Sequence, residues 1–261
     1  MYSLIGALQQ RPNNKIMAGE HSSRDNDYDF TKTHSYEEAV LLAQTGYDEA
    51  AKMLRLDVAA KSKIQSKYAA LVKHPTPHNA VVGYIPNVPN AIRNIPESMI
   101  TKDRIPMKRK TIAIIYSQHG SCNRTTEYFS QAGSALLSAV ELIEKSGIQT
   151  RIDLAFMTAK ENDEIAFPTV RIKNYDERYS FQKVSFPLVH PSMFRRLGFK
   201  WLETTEQMTQ DFTFGYGTPP STALLEENIE LPKDTYFLDT GWIHSEDCSV
   251  EAILRRFEVI K

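Results

Sequence analysis

The period at which apolar residues recur changes along the chain, and each change marks an element. The sharpest case is Ile112-Ala113-Ile114-Ile115-Tyr116, a run apolar on both faces that follows Lys108-Arg109-Lys110. Such a run predicts a buried strand of parallel type over 111–116. A polar loop over 117–124 follows. Phe129, Ala132, Leu136, Val140 and Ile143 then recur at three- and four-residue steps and predict a long amphipathic helix over 125–146, with Gly147 as its stop. A second strand over 149–156 completes a βαβ unit, which crosses over right-handed. Further strands are predicted over 169–172 and 235–238, and short helices over 192–201 and 250–257. Residues 181–186 are apolar-rich but fit neither period, and Pro187 is expected to end that segment.

The N-terminal part reads differently. Residues 11–34 are polar and turn-rich, which predicts a flexible arm over 1–34 that orders on a partner. Ser35 and Glu38 form a capping box that opens a helix, and Gly46 closes it. A second helix is predicted over 47–72, where Gly and Pro are absent. Residues 74–109 hold Pro75, Pro77, Pro86, Pro89, Pro96 and Pro106, a density that excludes long helix and central strand. One short strand, over 80–85, is predicted within it. The expected organisation is therefore an arm (1–34), a helical and proline-rich section packed on the core (35–109) and an α/β domain (110–261). The expected fold class is α/β and Rossmann-like, with a mostly parallel central sheet and helices on both faces.

Composition narrows the function classes. The 261 residues are 41% hydrophobic and 24% charged, an ordinary globular balance, and the net charge of −1 gives no overall attraction to nucleic acid or anionic lipid. Charge is divided unevenly, however: residues 1–110 carry 16 Lys and Arg against 11 Asp and Glu, and the remainder 15 against 21. No stretch approaches the roughly 20 apolar residues of a membrane span, so no membrane association is expected. Two cysteines, Cys122 and Cys248, stand in no metal-ligand spacing and read as free thiols of a cytosolic chain.

Ligands of open α/β sheets sit at the carboxyl ends of strands. The loop there, Ser117-Gln118-His119-Gly120-Ser121-Cys122-Asn123, offers hydroxyls, an imidazole and a thiol at a helix entrance. It lacks the glycine pattern and the lysine of a phosphate loop. Ser117, His119, Ser121 and Asn123 are its candidate ligand or interaction residues, and Asp239, after the last strand, is a candidate carboxylate at the same edge. His119 with Cys122 suggests a nucleophile and base, but no third residue orients the pair. His74 and His78 have i, i+4 spacing, but Pro75 and Pro77 deny them a helix face for metal. Lys108, Arg109 and Lys110, and separately Arg195 and Arg196, are candidate anion or nucleic-acid contacts; the plainer reading is a solvated strand flank and a surface helix that Ser192 caps. No complete catalytic constellation, metal site or cofactor motif is present in the sequence.

Two resemblances extend this reading. Ser35-Tyr36-Glu37-Glu38-Ala39 with Thr45-Gly46-Tyr47, Gly83 to Pro89, Ile95 to Met99, Ala132-Gly133-Ser134-Ala135 and Val189 to Arg196 together resemble a family of uncharacterised proteins of bacteriophages and bacterial mobile elements. That resemblance implies a viral or prophage origin, with the host cytoplasm or the virion as the location. Residues 110–261 are similar to von Willebrand factor A-type domains, which carry Asp-x-Ser-x-Ser after the first strand and bind a divalent metal there. Here the motif is Ser117-x-His119-x-Ser121, and the missing carboxylate removes the charge that holds a hard cation. The resulting expectation is a non-enzymatic protein–protein interaction or assembly protein, by self-association or with a protein partner through the strand-end loops. A nucleic-acid-binding protein of phage replication or packaging, and a hydrolase or transferase using residues 117–123, are the alternatives.

Overall fold

The structure, a computed structural model, describes residues 2–3, 28–54, 61–64, 77–102, 110–120, 124–159, 165–166, 168–204 and 231–260. It divides into two compact units, Met1–Ile64 with Lys110–Lys261, and Gln65–Arg109.

The larger unit is built on one sheet, with strands β1 (Tyr2–Ser3), β2 (Thr111–Ser117), β3 (Gln149–Ala155), β4 (Thr169–Lys173) and β5 (Thr235–Asp239). Its spatial order is β1-β4-β3-β2-β5. All neighbours are parallel except β3 and β4, which are antiparallel. β2 is an inner strand, between β3 and β5, and covered on both faces: Ile112, Ile114 and Tyr116 on one and Ala113 and Ser117 on the other are at most 1% exposed. This is the environment that an unbroken apolar run anticipates.

The helices are α1 (Tyr28–Thr31), α2 (Tyr36–Thr45), α3 (Ala50–Met53), α4 (Thr126–Lys145), α5 (Phe181–Val189), α6 (Phe199–Thr204), α7 (Thr240–Ser245) and α8 (Val250–Arg256). α4 joins β2 to β3, is capped by Thr125, and is the helix against which α1, α3, α5, α7 and α8 pack. Gly147, at φ +83°, follows its last turn in the left-handed conformation that glycine adopts without strain. At α2 the Ser35 hydroxyl accepts the Glu38 N–H, while the Glu38 carboxylate reaches back to the His34 N–H, one residue beyond the expected box partner.

Several expectations are corrected. Residues 181–189 form a helix that runs through Pro187, although proline costs a helix interior about 3 kcal/mol. Burial of Val184, Phe186, Leu188 and Val189 offsets that cost, and the helix resumes its bonding with the His190 N–H on the Phe186 carbonyl. Residues 192–201 are not one short α-helix: Met193–Gly198 is a π-helical stretch that leads into α6. The helix expected over 47–72 is interrupted, because Leu54 turns extended after α3; residues 55–60 and 65–72 lie outside those described. Part of the presumed flexible arm is ordered: Tyr2–Ser3 joins the sheet, and residues 28–34 form a strap whose Thr31 and Thr33 are fully buried.

The smaller unit holds a three-stranded antiparallel sheet with Met99–Lys102 in the centre, flanked by Pro77–Ala80 and Ile85–Pro86. The strand expected over 80–85 is instead a turn between these two edges. Within this sheet the prolines, Pro77 and Pro86, stand on the edge strands, where a missing ladder donor is tolerated. A short helix, Val88–Ile92, is capped by Asn87, whose side chain accepts the Asn90 N–H.

Candidate functional site

β5 runs parallel beside β2, with Asp239 in register with Ser117. α4 carries the chain from β2 to β3 on one side, whereas β5 lies on the other. The carboxyl ends of β2 and β5 therefore flank the point where the winding of the sheet reverses, the place where open α/β sheets bind ligands. The order of strands places Asp239 there; nothing local in the sequence does.

At this point the Ser117 hydroxyl and the His119 Nδ1 are 2.8 Å apart. Thr240 donates to the Ser117 carbonyl at 3.3 Å, and the Tyr116 and Thr240 hydroxyls meet at 3.4 Å. The Asp239 Oδ1 accepts the Trp242 N–H at 2.7 Å, so this carboxylate caps α7 rather than only ending a strand. Ser117 is fully buried and His119 half-buried. Burial lowers the His119 pKa, and the Asp239 charge opposes that shift. Burial likewise pushes the Tyr116 phenol well above its ordinary range. Gln118, between the two site residues, is 3% exposed, and among the described residues neither end of its amide meets a partner. Ser121, Cys122 and Asn123 lie outside the described residues.

Cys248 is part of a local arrangement that spacing alone did not suggest. The His244 Nε2 lies 2.7 Å from the Tyr128 carbonyl, so it must carry the proton, and Nδ1 faces the buried Cys248 thiol at 3.5 Å. His244 also stacks on the Tyr128 ring at 3.7 Å. Among the described residues no group of three His, Cys, Asp or Glu side chains is placed to hold a metal ion. His78 lies in an edge strand; His74 is outside the described residues.

The described cationic candidates, Lys110, Arg195 and Arg196, are not brought together. Arg195 and Arg196 are 3% and 0% exposed, which corrects the solvated-helix reading. Arg195 donates to the carbonyls of Phe30 and Arg124 and lies 4.0 Å and 4.4 Å from the centres of the Phe30 and Phe129 rings. Arg196 binds Thr31 and Thr33 of the strap. Ser192 makes no cap hydrogen bond; its hydroxyl donates to the Thr31 carbonyl and meets Thr33. Lys110 sits at the amino end of β2, seven residues or roughly 23 Å from Ser117 at strand rise, and its amine reaches the Glu258 carbonyl. Lys108 and Arg109 lie outside the described residues.

His190 is 4% exposed, stacks on Phe186 at 5.0 Å and meets the edge of Tyr47 at 4.9 Å. Burial lowers its pKa from 6.5 to about 4. The unfolded chain thus binds this proton between pH 6.5 and 4 while the folded chain does not, so stability is expected to fall as pH drops through that window. The loss reaches at most about 3 kcal/mol. Urea midpoints at pH 7.5 and 5 in wild type and His190→Phe check this: the variant is expected to show a flatter dependence, and equal slopes would rule the assignment out.

The family profile of a domain of unknown function, DUF7192, matches residues 2–261, and the chain belongs to that family. Neither a curated protein nor a solved structure matches it. No helix among the described residues is long and apolar enough to cross a membrane.

Proposed function

We propose that this DUF7192 chain is a non-enzymatic protein–protein interaction protein of a bacteriophage or mobile element, acting in the host cytoplasm or the virion, and that its contact surface lies on the smaller unit. The observation that carries this reading is the concentration of exposed apolar side chains in one short stretch: Val82 is 80% exposed, Ile92 77% and Val81 67%, with Tyr84, Ile85 and Val88 also exposed. Single exposed apolar residues are ordinary; a cluster of them is characteristic of association surfaces. Val88 and Ile92 lie one helical turn apart and so share a face. Pro77 and Pro86 on the edge strands disfavour association by strand addition, which leaves the side-chain surface as the contact. In this reading the strand-end loops of the larger unit are not the main contact.

The larger unit is read as von Willebrand A-like, with helices on both faces of its sheet and no working cation site. Support comes from the order β4-β3-β2-β5 with β4 alone antiparallel, together with a serine and a histidine at the motif positions where the first carboxylate and a serine are required.

The test is sedimentation of the purified chain together with crosslinking in producing cells, for wild type and Val82→Ser/Ile92→Ser. Burying two such side chains is worth about 2–4 kcal/mol, so the variant should associate on the order of a hundredfold more weakly. A wild-type monomer whose crosslinked neighbours are the same as the variant's would refute the reading.

One observation favours a hydrolase or transferase as a second reading: the Ser117–His119 contact, with the Asp239 charge near it. The complete burial of Ser117 weighs against it. Turnover of activated esters that Ser117→Ala abolishes in a folded chain would support it. The nucleic-acid reading loses Arg195 and Arg196 to internal contacts and rests on Lys108, Arg109 and Lys110.

A further inference from the structure

The larger unit contains a cavity of about 660 Å3, remote from the Ser117–His119 contact in its lining. The volume is that of a small-ligand pocket. Its walls come from the strap (Tyr28, Lys32), from α2 and the turn after it (Gly46 to Glu49), from the start of α4 (Thr126, Glu127) and from His190-Pro191.

Four carboxylates line it, Glu38, Asp48, Glu49 and Glu127, against one cation, Lys32. Lys32 is already engaged, 3.4 Å from Asp29 and over the Tyr28 ring. Glu38 is also committed, to the His34 N–H. Glu49 accepts from the Tyr47 hydroxyl and Glu127 from the Thr126 hydroxyl, each at 3.3 Å, and Glu127 is further held by Thr125, its own backbone N–H and the Lys32 charge. The Tyr28 and Tyr47 rings add aromatic surface, which attracts organic cations. An anion would enter against this charge.

A second feature offers a hydrogen-bond donor beside the carboxylates. His190 lines the cavity, and its Nδ1 accepts the Ser192 N–H at 3.2 Å. The proton of the neutral ring is therefore on Nε2. Among the described residues no acceptor meets that N–H, although the side chain is 4% exposed. That N–H keeps access to the cavity the ring lines, so a ligand oxygen there can accept from it. A polyamine brings cations but no acceptor. A lysine or arginine residue within a peptide brings both, its side chain for Glu49 and Glu127 and its carbonyl for His190.

We propose that this cavity binds a basic residue of a peptide segment, an ammonium or guanidinium group together with an adjacent amide carbonyl. The proposal does not depend on the exposed apolar surface of the smaller unit. Calorimetric titration of the full chain with N-acetyl-lysine amide and N-acetyl-arginine amide tests it, beside spermidine and N-acetyl-glutamate amide. The basic amides should bind, the glutamate amide should not, and Glu49→Gln/Glu127→Gln should weaken binding about tenfold. Both glutamates are exposed, so the fold should tolerate the change, which circular dichroism verifies. His190→Phe should weaken the amides and leave spermidine unchanged. Spermidine binding equal to or tighter than the amides, binding indifferent to the glutamine pair, or no binding at millimolar concentration would each overturn the proposal.

Discussion

Gly133→Ala is expected to destabilise the chain by about 3 kcal/mol or more, opposite in sign to what helix propensity alone predicts. Gly133 lies well inside α4, where alanine is favoured over glycine by roughly 1 kcal/mol. A Cβ built on Gly133, however, falls 2.0 Å from the Leu188 carbonyl oxygen and 2.7 Å from the Val189 Cα. The colliding atoms are backbone, so no rotamer change relieves the contact. α5 itself would have to move away from α4, and with it the buried Val184, Phe186 and Leu188. Overpacking of this kind costs 1–3 kcal/mol when side chains give way, and more when helices must separate. Urea denaturation should show the loss in Gly133→Ala and not in Gln131→Ala, an exposed position on the same helix. A Gly133→Ala protein as stable as wild type would mean that α4 and α5 are not in contact here.

This position also marks where the sequence could be read and where it could not. β2, α4 and β3 were legible because each is specified locally: an apolar run, a three- and four-residue period, Gly147 as a stop. The small residues Ala132-Gly133-Ser134-Ala135 entered the reading only through the family resemblance, and the approach of α5 to them was not legible, since residues 181–186 fitted neither period and Pro187 was expected to end them. The π-helical stretch has no local signal, because its residues read equally well as α. At the strand-end site, Ser117 and His119 could be named from the loop alone. Their proximity to Asp239 depends on β5 lying beside β2, a consequence of strand order that no neighbouring residue encodes. The strap was the largest omission. Thr31 and Thr33 sit in a polar stretch without period, and two adjacent arginines ordinarily stand in solvent. Each is buried only because the other is there.

The second large effect follows from that interdependence. Arg196→Met is expected to cost about 3–5 kcal/mol, the range for truncating one partner of a buried charged network. The guanidinium is fully buried, and it donates to the Thr33 Oγ1, the Thr31 Oγ1 and the Thr33 carbonyl, each at 2.9 Å. Burial lowers its pKa, and the charges of Glu38 and Glu37 oppose that shift. Methionine fills much of the volume but leaves those strap oxygens without these donors inside the protein. Arg196→Lys should not restore stability, because a single ammonium cannot reproduce a planar fork aimed at two threonines. The loss should be local before it is global, with amide exchange of residues 28–34 accelerated well ahead of β2 and β3. Because Tyr28 and Lys32 form one wall of the acidic cavity, the same variant should also bind N-acetyl-lysine amide more weakly, although Arg196 does not line it. Unchanged exchange at 28–34, with stability within 1 kcal/mol of wild type, would show that the strap is held by other contacts, and the cavity would then have to be explained without Arg196.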